Sequence, residues 1–249
     1  MANILEVKGL TKVFGGLVAV KDLNFSVKEG SRTGIIGPNG AGKTTTFCMI
    51  AGEHNPTSGT VMFNGERIDR FKPSTICKKG IARTFQVVRV FGNLTIYDHV
   101  VMGAVAGKPM FSSHTFAKED IERILELIGF ENEQDKLAGS LTSARQKQLG
   151  LATALATKPR LLLLDELMAG LNLPEIDESL KILEKINVEM GVTLVVIEHV
   201  MRVIMGLCEN IIVLDNGQKI AEGTPEEISE NEKVIHAYLG KGDIENVGS

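Results

Sequence analysis

The sequence predicts an α/β fold built round a glycine-rich loop, and three observations lead there. A short apolar segment, Thr33-Gly-Ile-Ile36, runs straight into a glycine-rich loop, after which Thr44–Ile50 reads as a helix. A second α/β stretch begins at Leu161–Leu164, an apolar run with the length of a buried strand. Between the two, from Thr95 to Leu155, the pattern turns helical, and Ile121, Leu125 and Ile128 fall on one helical face. The simplest architecture is one α/β domain with antiparallel strands at its N-terminus and a helical insertion in its middle.

Each element has a local reason. Ile4-Leu-Glu-Val-Lys8 and Leu23-Asn-Phe-Ser-Val27 alternate, as strands of a half-buried antiparallel sheet do. Asn64-Gly65 and Asn216-Gly217 sit between strand-like runs and predict hairpin turns, whose two central residues need positive φ. Gly129–Gly139, with its acids and Lys136, reads as a loop inside the helical region. Pro174 opens a helix that places Ile176, Leu180, Leu183 and Ile186 on one face. A strand at Leu194–Ile197, a helix around Val200–Leu207 and a hairpin at Ile211–Ala221 follow. Thr224 is the expected N-cap of a further helix, with Pro225 at its first position. The polar residues Lys241–Ser249 are expected to form a loose tail.

Composition bounds the function. The chain has 249 residues, with 27 Lys and Arg against 31 Asp and Glu for a net charge of −4. An apolar share of 43% is ordinary for a globular protein and excludes general disorder. The mild acidity excludes a protein that coats nucleic acid, so no nucleic-acid partner is expected. No run approaches the ~18–20 apolar residues of a membrane-spanning helix, and no signal-peptide layout opens the sequence. Cys48, Cys77 and Cys208 are too few and too scattered for a disulfide framework or a zinc site.

Gly37-Pro-Asn-Gly-Ala-Gly-Lys-Thr44 matches G-x-x-x-x-G-K-[ST] without a mismatch. Glycines let the backbone turn its N–H groups inward as an anion nest, and the following helix adds its positive end. Lys43 can reach the outer phosphates and the Thr44 hydroxyl can hold Mg²⁺. A strand before and a helix after are the context the motif demands, so the residues point to a nucleoside triphosphate. Asp165-Glu166, at the end of the apolar run, supplies the carboxylates such a site needs: Asp165 toward the metal, Glu166 toward the attacking water.

With both motifs in place the chain resembles the ATP-binding subunits of ABC transporters over nearly its whole length. The order of Phe14, Gly37–Thr45, Gln86, Leu141–Gln146, Asp165-Glu166, Ala169–Asn172 and His199 fits that family. The resemblance implies the P-loop NTPase fold of ABC ATPases, with an N-terminal antiparallel β subdomain and an inserted helical subdomain. It implies nucleotide contacts at Phe14, Gly37, Pro38, Asn39, Gly40, Ala41, Gly42, Lys43, Thr44 and Thr45, with Phe14 stacking on adenine. Mg²⁺ is expected at Thr44, Gln86 and Asp165. Glu166, His199 and Gln86 are the implied catalytic set, Gln86 sensing metal and γ-phosphate and His199 contacting the γ-phosphate. The domain expected spans 1–240, with a core of 1–86 and 160–240, a helical subdomain of about 87–159, and the tail 241–249.

Further residues narrow the likeness. Arg83-Thr-Phe-Gln86, Val90–Val100, Met102-Gly103, Ile197-Glu-His-Val-Met201 and His236-Ala-Tyr-Leu-Gly240 look like branched-chain amino acid importer ATPases. That resemblance implies ATP-driven uptake with two membrane permease subunits, an extracytoplasmic solute-binding protein and a position on the cytoplasmic face of the membrane. Related importers of urea, amides or other amino acids, and a lipid or lipopolysaccharide exporter, stay open as alternatives. The signature that completes a partner's nucleotide site departs from the family's Leu-Ser-Gly-Gly-Gln. Here it reads Leu141, Thr142, Ser143, Ala144, Arg145 and Gln146. Thr142 can still cap its helix. Ala144 is costly if its position needs positive φ, and Arg145 brings a charge that could compensate. A heterodimer with a different ATPase chain, its sites unequal, is the reading this departure suggests, and a weakly hydrolysing partner is its alternative. Leu167 stands where proline is common.

Overall fold

Alternating apolar residues at the N-terminus build a long hairpin. β1 (Asn3–Phe14) and β2 (Leu17–Lys28) run antiparallel through Gly15-Gly16, with Val7 opposite Phe25 and Leu10 opposite Leu23, all four buried. The computed structural model describes residues 2–85, 90–107 and 118–239. The chain divides into two units, Met1–Arg70 with Val195–Ser249, and Phe71–Leu194.

In the first unit β3 (Arg32–Ile36) leads through the glycine loop to α1 (Lys43–Ile50), followed by β4 (Ser58–Phe63) and β5 (Glu66–Arg67). One sheet has the order β2-β1-β4-β5. Asn64 and Gly65 take φ of 49° and 76°, the paired positive values of the turn the sequence predicts. Asp69, buried after this hairpin, ties it down: its carboxylate accepts from Arg67 at 2.8 and 3.1 Å and from the Val61 N–H at 3.2 Å.

The second unit opens with α2 (Pro73–Lys78) and β6 (Ile81–Arg83), then α3 (Ile96–Ala106), α4 (Lys118–Ile128), α5 (Ser143–Ala156), β7 (Leu161–Asp165) and α6 (Leu173–Met190). β6 and β7 pair in parallel, Ile81 beside Leu161 and Arg83 beside Leu163, and every residue of β7 is buried. α3 crosses α5 at backbone distance, because a Cβ at Gly103 would lie 2.1 Å from the Thr153 carbonyl oxygen. α4 buries Ile121, Ile124, Leu125 and Ile128, the stripe its periodicity predicts. The 129–139 loop is fastened to the approach to α3: Ile96 N–H donates to the Lys136 carbonyl at 3.0 Å and Ala138 N–H to that of Leu94 at 2.9 Å. In α6 an Asn172–Glu175 capping box sets the start, ahead of Pro174, and Ile176, Ile182, Leu183 and Ile186 are buried. Leu180 is only half-buried, since Ile182 turns the stripe away from it.

β8 (Thr193–Ile197), wholly buried, leads back toward the first unit. There α7 (Met201–Leu207), β9 (Asn210–Asp215), β10 (Gln218–Gly223), α8 (Pro225–Ser229) and α9 (Glu232–Leu239) complete the chain. β9 pairs in parallel with β3, Ile212 beside Ile35, and antiparallel with β10 through a turn with Asn216 at φ 46° and Gly217 at φ 78°. Thr224 caps α8 and Pro225 follows it, as expected. No helix among the described residues is long and apolar enough to cross a membrane. Lys241–Ser249 lie outside the described residues.

Candidate nucleotide-binding site

The glycine loop is shaped by what lies behind it. Gly37 has φ of 148° and Gly42 of 97°, and a Cβ on Gly37 would stand 2.0 Å from the Leu214 carbonyl oxygen, one on Gly42 2.6 Å from that of Ala19. β9 and β2 thus leave no room for a side chain at either end of the loop. Gly217, at the tip of the β9–β10 hairpin, donates its N–H to the Ala41 carbonyl at 3.1 Å and props the loop from a third side. Gly40, also at positive φ, and Asn39 are exposed, Pro38 and Thr45 half-buried.

Lys43 is buried, and its ammonium donates to the carbonyls of Gly37 at 2.6 Å and Pro38 at 3.0 Å. The charge therefore waits inside the loop, held by groups that an incoming phosphate oxygen can outbid. α1 starts at Gly42 with no side-chain cap, unlike α3, α5, α6 and α8, each capped by a side-chain oxygen. A polyphosphate suits this place: it meets a helix N-terminus, a buried ammonium and a loop that glycine alone can form. Thr44 is exposed on the first turn.

Phe14 ends β1 with 41% of its surface exposed. His54 packs edge-on against its ring at 5.4 Å between centroids, and the Lys12 ammonium lies 4.9 Å from the ring centre. An aromatic face fixed by two neighbours is a platform for a planar base. Lys12 and His54 carry no sequence signal, because they stand in different elements and join no motif. His199 follows β8 and is exposed.

The carboxylates belong to the second unit. Asp165 closes β7 with 2% of its side chain exposed, and Arg83 Nη2 lies 2.6 Å from its Oδ2. The Asp165 N–H donates to Thr84 Oγ1 at 3.3 Å. Glu166 is half-buried and has φ of 51°, a left-handed backbone that a non-glycine residue holds only where its surroundings impose it. Lys147 of α5 supplies part of that constraint, donating to the Glu166 carbonyl at 3.5 Å and to the Ala169 carbonyl at 2.5 Å. Leu167 is buried. Gln86 lies outside the described residues. Phe91, 64% exposed, is held by its N–H donating to His99 Nε2 at 3.0 Å, while His99 Nδ1 donates to the Thr95 carbonyl at 2.8 Å.

The altered signature resolves locally. Thr142 caps α5, its hydroxyl accepting from the Arg145 N–H at 3.4 Å, and Leu141 ends the preceding turn. Ser143 is exposed on the first turn. Ala144 sits inside the helix and is not among the residues with positive φ, so alanine meets no backbone penalty there. Arg145 turns back into its own unit. Its guanidinium donates to the Gly129 carbonyl at 2.7 Å and to Gln148 at 2.8 Å, pairs with Glu133 at 3.4 Å and lies 3.9 Å above the Phe130 ring. Its charge meets the 129–133 loop in this structure.

A phosphate cradle of this motif at a strand-to-helix junction defines the class: a P-loop nucleoside triphosphatase. The profile of the ABC transporter family matches residues 20–169, and that of the branched-chain amino acid ATP-binding cassette transporters matches residues 218–244. The chain belongs to the ATP-binding subunits of ABC transporters, in their branched-chain amino acid group. It is 38% identical to the high-affinity branched-chain amino acid transport ATP-binding protein BraF of Pseudomonas aeruginosa, over 96% of this chain and 98% of that protein. The probable branched-chain amino acid transport ATP-binding protein LivG of Archaeoglobus fulgidus is 35% identical, over 98% of each. An ATP-binding cassette of an ABC transporter solved in its ADP conformation superposes with a TM-score of 0.87 at 27% identity, covering 97% of this chain and all of that one.

Proposed function

We propose that the chain is the ATP-hydrolysing subunit of an importer for branched-chain amino acids. The observation that carries the reading is end-to-end likeness to relatives named for that transport, reaching through the C-terminal segment 218–244. In this reading Phe14 stacks on adenine while the loop from Gly37 to Thr45 and the Lys43 ammonium hold the phosphates. Thr44 and Asp165 offer hard oxygen donors, the set that Mg²⁺ prefers, with Gln86 as a third. Bound Mg²⁺ supplies neutralisation of the phosphate charge. Glu166 orients and deprotonates the attacking water, and His199 stabilises the γ-phosphate.

Two membrane permease subunits receive the work of closure, and an extracytoplasmic solute-binding protein delivers the cargo, which this chain never touches. The chain sits peripherally on the cytoplasmic face. Its partner ATPase is a different chain, because Leu141–Arg145 offers that partner an unusual signature while this chain keeps Lys43, Asp165 and Glu166. The helical segment near Gln86–Met102 supplies the coupling surface in this reading, with Phe91 displayed by the His99 clamp.

The test is solute-stimulated ATP hydrolysis after reconstitution with the membrane, ATPase and binding subunits encoded beside it. Leucine, isoleucine or valine, delivered by the binding protein, is expected to stimulate hydrolysis. Stimulation by urea or another amino acid instead overturns the substrate class alone. Indifference to every small solute moves the chain to an exporter.

A further inference from the structure

Asp165 ends a strand whose four preceding residues, Leu161–Leu164, are fully buried leucines. A carboxylate in such a place is strongly destabilising unless a counter-charge meets it. Arg83 is that counter-charge: its Nη2 lies 2.6 Å from Asp165 Oδ2, and the two side chains are 8% and 2% exposed. The register of β6 on β7 sets Arg83 beside Leu163, so its side chain extends two residues along the strand to reach the carboxylate. The Thr84 hydroxyl, next in sequence, accepts the Asp165 N–H, so the end of β6 and the residue after it fix both the charge and the backbone of the residue assigned to the metal.

We infer that Arg83 is the resting counter-ion of Asp165 and gives way when a divalent cation loads at that carboxylate. The inference rests on the proposed metal role of Asp165. A dication loading at Asp165 competes for the carboxylate oxygens that Arg83 now holds at 2.6 Å, so Arg83 weakens its hold when the cation arrives. It has a second seat at hand. Its guanidinium carbon already lies 5.3 Å from the ring centre of Phe85, which is 55% exposed, and an aromatic face attracts a displaced cation. Arg83 acts through Asp165 and is a positioning residue.

The test is thermal unfolding of the full-length chain with EDTA alone, with ATP and EDTA, and with ATP and Mg²⁺. Arg83→Gln is expected to lower Tm by about 6–12 °C in EDTA, because it removes a buried charge partner of Asp165, and to recover most of that loss with ATP and Mg²⁺. Its half-saturating Mg²⁺ concentration falls below that of the unaltered chain, since no guanidinium competes. Arg83→Lys restores part of the stability in EDTA. A deficit of equal size under all three conditions overturns the inference and leaves Arg83 a packing residue. Should Arg83→Gln fail to fold, the double variant with Asp165→Asn decides: recovery of folding supports the pair, continued failure sinks it. Asp165→Asn alone tests the underlying reading. If it keeps the full Mg²⁺-dependent rise in Tm, the metal role of Asp165 is wrong, whatever Arg83 does.

Discussion

Single residues in this chain were legible in the sequence when chemistry tied them to a backbone requirement. Gly37 and Gly42 could be placed from the motif alone, because only a residue without Cβ fits against the Leu214 and Ala19 carbonyls. Family order singles out Phe14 but says nothing of its setting between Lys12 and His54. Phe14→Ala is expected to weaken ATP binding by about tenfold without changing the fold, since one base-stacking face is lost. Titration with a fluorescent ATP analogue, alongside circular dichroism, checks this. Cys208 makes the opposite case, a free thiol buried in the core. Burial pushes its thiol up to about 12, so it stays protonated at pH 8. Iodoacetamide at that pH is expected to leave Cys208 unlabelled in the native chain and to label it fully in guanidinium, as read by peptide mass spectrometry.

At the scale of elements, caps and periodicity carried most of the information. Thr142, Asn172 and Thr224 start their helices as side-chain acceptors, and the two Asn-Gly turns take the positive φ they predict. Ala144 shows how an element overrides a position-by-position reading. Inside α5 its backbone is helical, so Ala144→Gly is expected to destabilise the chain by about 0.5–1 kcal/mol, or roughly 2–4 °C in Tm, measurable by calorimetry. The Asp69 tie acts on the β4–β5 hairpin. Burial alone would push this carboxyl up, but the Arg67 guanidinium and the Val61 N–H outweigh it and hold the group below the usual carboxylate range. A lowered carboxyl stabilises the fold fully above the ordinary Asp value near 3.9 and loses that contribution as pH falls through the folded value. The stability gap between the native chain and Asp69→Asn is therefore constant from about pH 7 to 5 and closes below pH 4. Urea denaturation across that range measures it.

At the scale of the whole molecule, the proposed function pairs this chain with a second ATPase chain. Glu166→Gln is predicted to bind ATP while hydrolysing it at least about a hundredfold more slowly, as loss of the group that activates water implies. It is also expected to accumulate an ATP-dependent complex with its partner ATPase, seen by analytical ultracentrifugation. Normal turnover in that variant removes Glu166 from the catalytic role. By itself the sequence determined the α/β class, the glycine cradle, the helix starts, the hairpin turns and the family. These rest on short-range constraints: residues that permit positive φ, side chains that cap, and apolar periods of two or 3.6 residues. Tertiary structure alone decided what meets what. Arg83 reaches Asp165 across 82 residues of chain, Lys147 secures the backbone after Glu166, and Arg145 is drawn to Phe130 and Glu133 rather than left outward. Strand register and helix crossing set those partnerships, and neither leaves a mark in local sequence, because a charged side chain is written the same way whether it pairs with a neighbour or with a residue a hundred positions away.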